Sequence, residues 1–258
     1  MSCICVVSPK GGVGKTTLTA NLALAIQQFG LKVSAVDLDS QNALRLHFGL
    51  PLAQRGGIAS LATTGADWKS ALLETDSGIE LLPFGTTSRA ERQRFNDAIL
   101  HSDLLSRNLK AIADAPDAVL LADLPPGDSA ALQAVEALSP VYCVVLMPDS
   151  ASLSVLPELE SGDFLPPAAE SRRFFVLNLM DLRHHLAQDI TQYLRQRLGP
   201  SLIGTVHRDE ALPEALAAQQ PLRLYSPGSA ALVDFEHLAQ NLYRWLLASQ
   251  GAERGTPG

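Results

Sequence analysis

Short apolar runs alternate along the chain with longer stretches in which apolar residues recur every three or four positions. Residues 3–8, 32–37, 79–83, 118–123, 141–148, 174–179 and 202–206 read as strands. The runs at 118–123 and 141–148 are almost unbroken, the mark of strands covered on both faces. Between them, Leu18, Leu22, Ile26 and Phe29 form one face of a helix over 16–29, and Gly30 stops it. Phe95, Ile99, Leu105, Leu109 and Ile112 mark one or two helices over 91–113, and residues 186–198 and 230–247 read as helices. The Pro- and acid-rich stretch 157–171 reads as a loop or insertion, and the polar residues 249–258 as a disordered tail. Residues 1–248 are thus expected to form one α/β domain, a doubly wound, mostly parallel sheet with helices on both faces.

The 258 residues, 47% hydrophobic and 18% charged, suffice for a large core and exclude a disordered chain. No apolar run reaches the roughly 18 residues of a membrane-spanning helix, and the apolar start lacks the charged n-region of a signal peptide. With 20 Lys and Arg against 27 Asp and Glu, nucleic-acid binding would need a local patch, for which Arg89, Arg92, Arg94 and the pair Arg172–Arg173 are the candidates. Cys3, Cys5 and Cys143 have no framework or metal-ligand spacing, so they read as buried thiols of a cytoplasmic protein.

The first strand ends in Ser8-Pro9-Lys10-Gly11-Gly12-Val13-Gly14-Lys15-Thr16-Thr17, and a helix opens at once. Glycines in this setting let backbone N–H groups and the helix N-terminus meet phosphates. Lys15 is placed to reach the β- and γ-phosphates and Thr16 to hold Mg²⁺. The usual phosphate-loop pattern wants glycine where this chain has Pro9. A second lysine, Lys10, lies five residues before Lys15. Residues 10–16 thereby resemble the deviant loop of the MinD/ParA ATPases, a family of doubly wound phosphate-loop proteins in which position 9 is commonly not glycine. That resemblance implies bound ATP and Mg²⁺, and a homodimer with ATP sandwiched between subunits. It also implies that Lys10 reaches the partner's nucleotide.

Three further segments complete the resemblance. Asp37-Leu38-Asp39-Ser40-Gln41 is similar to the family's first switch, with Ser40 in place of proline. By that match Asp39 orients the attacking water and Asp37 supports the metal shell. Asp123 ends an apolar strand, the place of a Mg²⁺-holding carboxylate, and Asp123-Leu124-Pro125-Pro126-Gly127 resembles the second switch. Asn178 ends another strand, and its amide suits the adenine N6/N7 edge. The guanine-reading pattern Asn-Lys-x-Asp would also fit Asn178 and Asp181, but Leu179 stands where lysine should be, and Lys10 goes with the ATP-using branch. His207-Arg208-Asp209 lacks the Asn of a kinase catalytic loop, since Glu214 occupies that position. The resemblance sets residues 207–209 near the adenine.

Asp67-Trp68, Leu81-Leu82-Pro83-Phe84-Gly85 and Val206-His207-Arg208-Asp209-Glu210-Ala211 are similar to the BcsQ family, the MinD-like proteins of bacterial cellulose-synthesis operons. The resemblance runs over residues 3–247. It implies a slow, dimer-dependent ATPase that supports or localises cellulose synthesis, with protein partners in a secretion complex. Membrane contact is then indirect, through those partners, and nucleic acid is not a partner. A partition ATPase on DNA, a MinD-type membrane switch and a non-hydrolysing scaffold are the alternatives. For the membrane alternative the terminal helix would be the anchor. Its apolar face of Phe235, Leu238, Ala239, Leu242, Trp245 and Leu246 comes with Arg244 as the only fixed cation over 234–247, which favours docking on the core.

Overall fold

The unbroken apolar runs become central strands because both of their faces are covered. The computed structural model describes residues 2–114 and 118–254. In chain order the elements are β1 (Ser2–Val7), α1 (Lys15–Gln27), β2 (Lys32–Asp37), α2 (Ile58–Thr64), β3 (Leu73–Glu74), β4 (Glu80–Leu82), α3 (Arg89–Leu100), α4 (Leu104–Ala113) and β5 (Ala118–Asp123). They continue as α5 (Ala130–Val135), β6 (Val141–Leu146), α6 (Ser150–Ser154), α7 (Leu156–Ser161), β7 (Arg173–Met180), α8 (His185–Leu198), β8 (Leu202–His207), α9 (Ala211–Ala217), α10 (Leu222–Tyr225) and α11 (Ala230–Arg254). Among the described residues eight strands form one sheet in the order β3-β4-β2-β5-β1-β6-β7-β8. All neighbours are parallel except the short edge pair β3–β4.

Successive strand residues point to opposite faces, so each run feeds two cores. Cys5, Val36, Leu120, Val144 and Leu177 pack on one face with α3, α4, α5 and α8. Ile4, Ala35, Leu121, Val145 and Val176 pack on the other with α1 and α11. Phe235, Leu238, Ala239 and Leu242 of α11 are buried there, and Trp245 meets Phe174 edge-on with ring centroids 5.5 Å apart. The apolar stripe of the last long helix is therefore used by the sheet. Cys3, Cys5 and Cys143 are free, buried thiols.

Of the one or two helices expected over 91–113, the structure has two. Ser88 caps α3 in a reciprocal box with Glu91, and the chain breaks at residues 101–103 before α4. The stretch 157–171 is not simply a loop: Pro157 sits in the first turn of α7, where its missing N–H costs nothing, and residues 167–172 make a 3₁₀ helix. Nor is the whole polar stretch 249–258 non-helical, because α11 continues to Arg254. Ala252, Glu253 and Arg254 are good helix formers that extend an existing helix at low cost. Residues 255–258 lie outside the described residues.

β1 occupies the centre of the sheet. From it α1 leads towards β2, whereas the helices after β6 lead the other way, to β7 and β8. A crevice at the carboxyl ends of the strands follows from that reversal, and residues 8–14 lie in it.

Candidate functional site

The loop after β1 is shaped by its glycines. Gly12 and Gly14 have φ of 76° and 82°, a left-handed conformation that side chains oppose. Gly14 is also crowded: a Cβ there would lie 2.4 Å from the Asn178 Nδ2 atom. Asn178, buried at the end of β7, donates from Nδ2 to the Val13 carbonyl at 2.8 Å. The second switch is tied to the same loop, since the Gly127 N–H donates to the Ser8 carbonyl at 2.9 Å. Residues 11–14 thus form a fixed cradle opening on α1.

Three expected residues converge on the cradle floor. The Thr16 hydroxyl donates to Asp123 Oδ2 at 2.6 Å. Lys15 is only 7% exposed. Burial lowers its pKa, and the nearby charges of Asp123 and Asp39 partly restore it. Burial pushes Asp123 up to about 7, against the pull of the Thr16 hydroxyl and of Lys15. Thr19, which composition and spacing did not single out, adds a second hydroxyl 3.4 Å from Asp123 Oδ1. Its signal is helical: it lies one turn beyond Lys15, and its hydroxyl donates to the Lys15 carbonyl.

Asp37 is bonded to the backbone of the switch segment. It is fully buried, and its two oxygens accept the backbone N–H groups of Asp39 (3.0 Å) and Leu44 (3.1 Å). Burial, reinforced by the charge of Asp123, pushes its pKa well up. Asp37 thereby ties the switch segment to the end of β2. Asp39 follows in that segment, accepting from the Gln41 N–H at 2.9 Å. His47, buried a few residues on, comes within 3.4 Å of the Thr17 hydroxyl, and burial pushes its pKa down to about 4.

Lys10 does not stand in solvent. Its Nζ lies 2.7 Å from each oxygen of Asp149, just after β6. Asp149 also caps α6 by accepting from the Ser152 N–H at 2.8 Å. Burial raises the Asp149 carboxyl, but Lys10 and Ser152 together hold it below its ordinary value. Asp149 was missed in the sequence, where its one sign is an apolar run closing on Pro-Asp.

Beside the cradle is a cleft of about 450 Å³ lined by Gly14, Thr17, Asn178, Leu179, Asp181, Arg208 and Asp209, with Met147, Leu212 and Leu216 as its apolar part. Its size and mixed walls suit a nucleoside. Of the loop 207–209, His207 is not among its lining: the ring Nδ1 and the backbone N–H both pair with Asp234 Oδ2 of α11 at 2.8 Å. Asp209 reaches the cleft, yet its carboxylate is occupied by Ser229, Ala211 and Ala231. The Arg208 guanidinium is exposed and donates from Nε to Glu210 at 3.1 Å.

A strand, a glycine cradle and a helix bearing Lys15 and Thr16, with a carboxylate at the end of the adjacent strand, define a phosphate-loop nucleotide-binding protein. Its fold matches the septum site-determining protein MinD from Pyrococcus horikoshii, solved with Mg-ADP, at a TM-score of 0.73 and 24% identity over 96% of this chain and 98% of that one. Within that class the chain belongs to the family of the cellulose biosynthesis protein BcsQ, whose family model matches residues 1–243. It is 30% identical to BcsQ of Salmonella typhimurium over 252 residues, 96% of this chain and 95% of that protein. To BcsQ of Escherichia coli K12 it is 33% identical over 236 residues, 89% of each.

Proposed function

We infer that the chain binds ATP with Mg²⁺ and hydrolyses it slowly, as a homodimer that closes on two nucleotides and opens after hydrolysis. The observation that carries this reading is the floor of the cradle, where Thr16 and Asp123 are 2.6 Å apart beside buried Lys15. A hydroxyl and a carboxylate are hard oxygen donors that fit Mg²⁺, with phosphate and water oxygens supplying the other ligands. When bound, the ion neutralises phosphate charge. The MinD neighbour solved with Mg-ADP supports the assignment.

The chain's own groups do the rest. Backbone N–H groups of residues 11–14 and the start of α1 receive the phosphates, and Lys15 lies among them. Asp39 positions the attacking water, whose oxygen bonds to the γ-phosphorus as the bond to the leaving β-phosphate oxygen breaks. Lys10, released from Asp149, reaches across to the partner's nucleotide. Related sites without such a cation turn over at about 10⁻⁴ s⁻¹, and adding one contributes about 10³–10⁵-fold. The nucleotide is then a switch.

The cellular role we assign is support or localisation of cellulose synthesis through protein partners in a secretion complex, in keeping with the family. We place the protein in the cytoplasm, at the inner membrane through those partners. Among the described residues no helix is long and apolar enough to cross a membrane, and the stripe of α11 is covered.

Phosphate release measured across protein concentration tests the reading. The rate per subunit should rise with concentration in wild type and vanish in Lys15→Ala. A rate per subunit that is constant over two orders of magnitude in concentration would contradict the dimer.

A further inference from the structure

The end of β7 carries an unusual turn. The register of β7 against β8 shifts between Leu177 and Met180, and Leu179 has φ of 55°, a strained value for a branched residue. The turn sends Asn178 to the phosphate cradle and brings Asp181 to the wall of the same cleft. Asp181 would be well placed to read a purine edge, but it is already held. Arg183 grips it with a fork: Nε donates to Oδ1 at 2.8 Å and Nη2 to Oδ2 at 2.6 Å. The Arg183 backbone N–H adds a third bond to Oδ1 at 3.0 Å, and His184 Nε2 lies 3.7 Å from Oδ2. Arg183 itself is in the open, with a side chain 81% exposed against 13% for Asp181.

The two purines differ in what they ask of a carboxylate. Guanine presents two adjacent donors, N1–H and the 2-amino group, which a carboxylate accepts together. Adenine presents an acceptor at N1 and no 2-amino group, so a bare carboxylate beside it meets a lone pair. We propose that Arg183 is a specificity-positioning residue: by occupying both oxygens of Asp181 it removes the acceptor pair that guanine needs and leaves the cleft to adenine. This rests on the nucleotide-binding reading above and deepens it.

The arrangement agrees with the strength of the fork. Planar, charge-assisted pairs of this kind leave little acceptor capacity in the plane. The Arg183 hydrogen bonds hold the Asp181 carboxyl far below its ordinary range, so it stays an anion whose charge is cancelled locally.

The test is competition of ATP and GTP, each with Mg²⁺, against a fluorescent ATP analogue bound to the full chain. Wild type should bind the analogue and prefer ATP. Arg183→Ala removes an exposed side chain, so folding should be retained, which circular dichroism checks. It should bind GTP at least about fivefold more tightly than wild type does, as expected for a newly available bidentate acceptor. Adding Asp181→Asn should abolish that gain. A ratio of ATP to GTP affinity unchanged in Arg183→Ala, with ATP binding intact, would overturn the specificity role alone. So would a gain that survives in the double variant. Absence of binding by wild type to any of the three nucleotides would instead overturn the underlying site.

Discussion

Lys10 of the phosphate loop and Asp149 form an ion pair, with Nζ 2.7 Å from both carboxylate oxygens. The pair links the loop after β1 to the loop after β6, 139 residues away. It holds within one chain the lysine that the proposed dimer needs between chains. Its side chains are 19% and 38% exposed, so screening keeps it modest and exchange for a phosphate is feasible.

Asp149→Asn should therefore ease dimerisation. Asparagine keeps an oxygen to cap α6 but loses the charge that retains Lys10. ATP-dependent dimers should form at several-fold lower protein concentration than in wild type, as read by analytical ultracentrifugation. An unchanged or weaker association would mean that the pair does not hold Lys10 in reserve.

Gly14→Ala should be severe. The substitution places a Cβ at φ 82° and 2.4 Å from Asn178 Nδ2, against the bond that braces Val13. Left-handed strain alone is about 1–2 kcal/mol, which for a chain of this size lowers the melting temperature by a few degrees. Nucleotide affinity should fall by more than tenfold in a fluorescence titration. A variant that melts and binds like wild type would refute this packing.

Asp123→Asn and Thr16→Ala should each weaken the dependence of nucleotide affinity on Mg²⁺ by at least about tenfold, measured by titration with and without the ion. Asp37→Asn should behave differently. Its carboxylate serves the Asp39 and Leu44 amides, so the main effect should be lower stability of the switch segment, seen as faster amide exchange over residues 39–48.

His47 gives a pH signature. Burial lowers its folded pKa to about 4, below the ordinary 6.5. Between these values the unfolded chain binds the extra proton, so stability rises with pH through the window and is lost as pH falls from 6.5 to 4. The loss should approach about 3 kcal/mol below pH 4. Denaturant unfolding at pH 7, 5.5 and 4.5 should show a shallower acid loss in His47→Gln than in wild type. Equal slopes would exclude the histidine as the cause.

The sheet and the cradle were legible because each leaves a local mark. Strands buried on both faces read as unbroken apolar runs, and Gly11 to Thr16 carry their spacing within one turn of chain. What escaped notice depends on distance in the chain. Asp149 matters through Lys10, Thr19 through Asp123, and His207 through Asp234, partners 139, 104 and 27 residues apart. The break between α3 and α4 rests on caps rather than periodicity, so the apolar face over 91–113 leaves one helix or two open. The resemblance sets the loop 207–209 near the base as a unit; Arg208 and Asp209 do line the cleft, whereas His207 turns to Asp234.

The most direct test of the central claim is the mass of the particle in solution. Light scattering of wild type should give a monomer without nucleotide and a dimer with ATP and Mg²⁺, whereas Lys10→Ala should stay monomeric under both conditions. A Lys10→Ala protein that dimerises with ATP as readily as wild type would contradict the account.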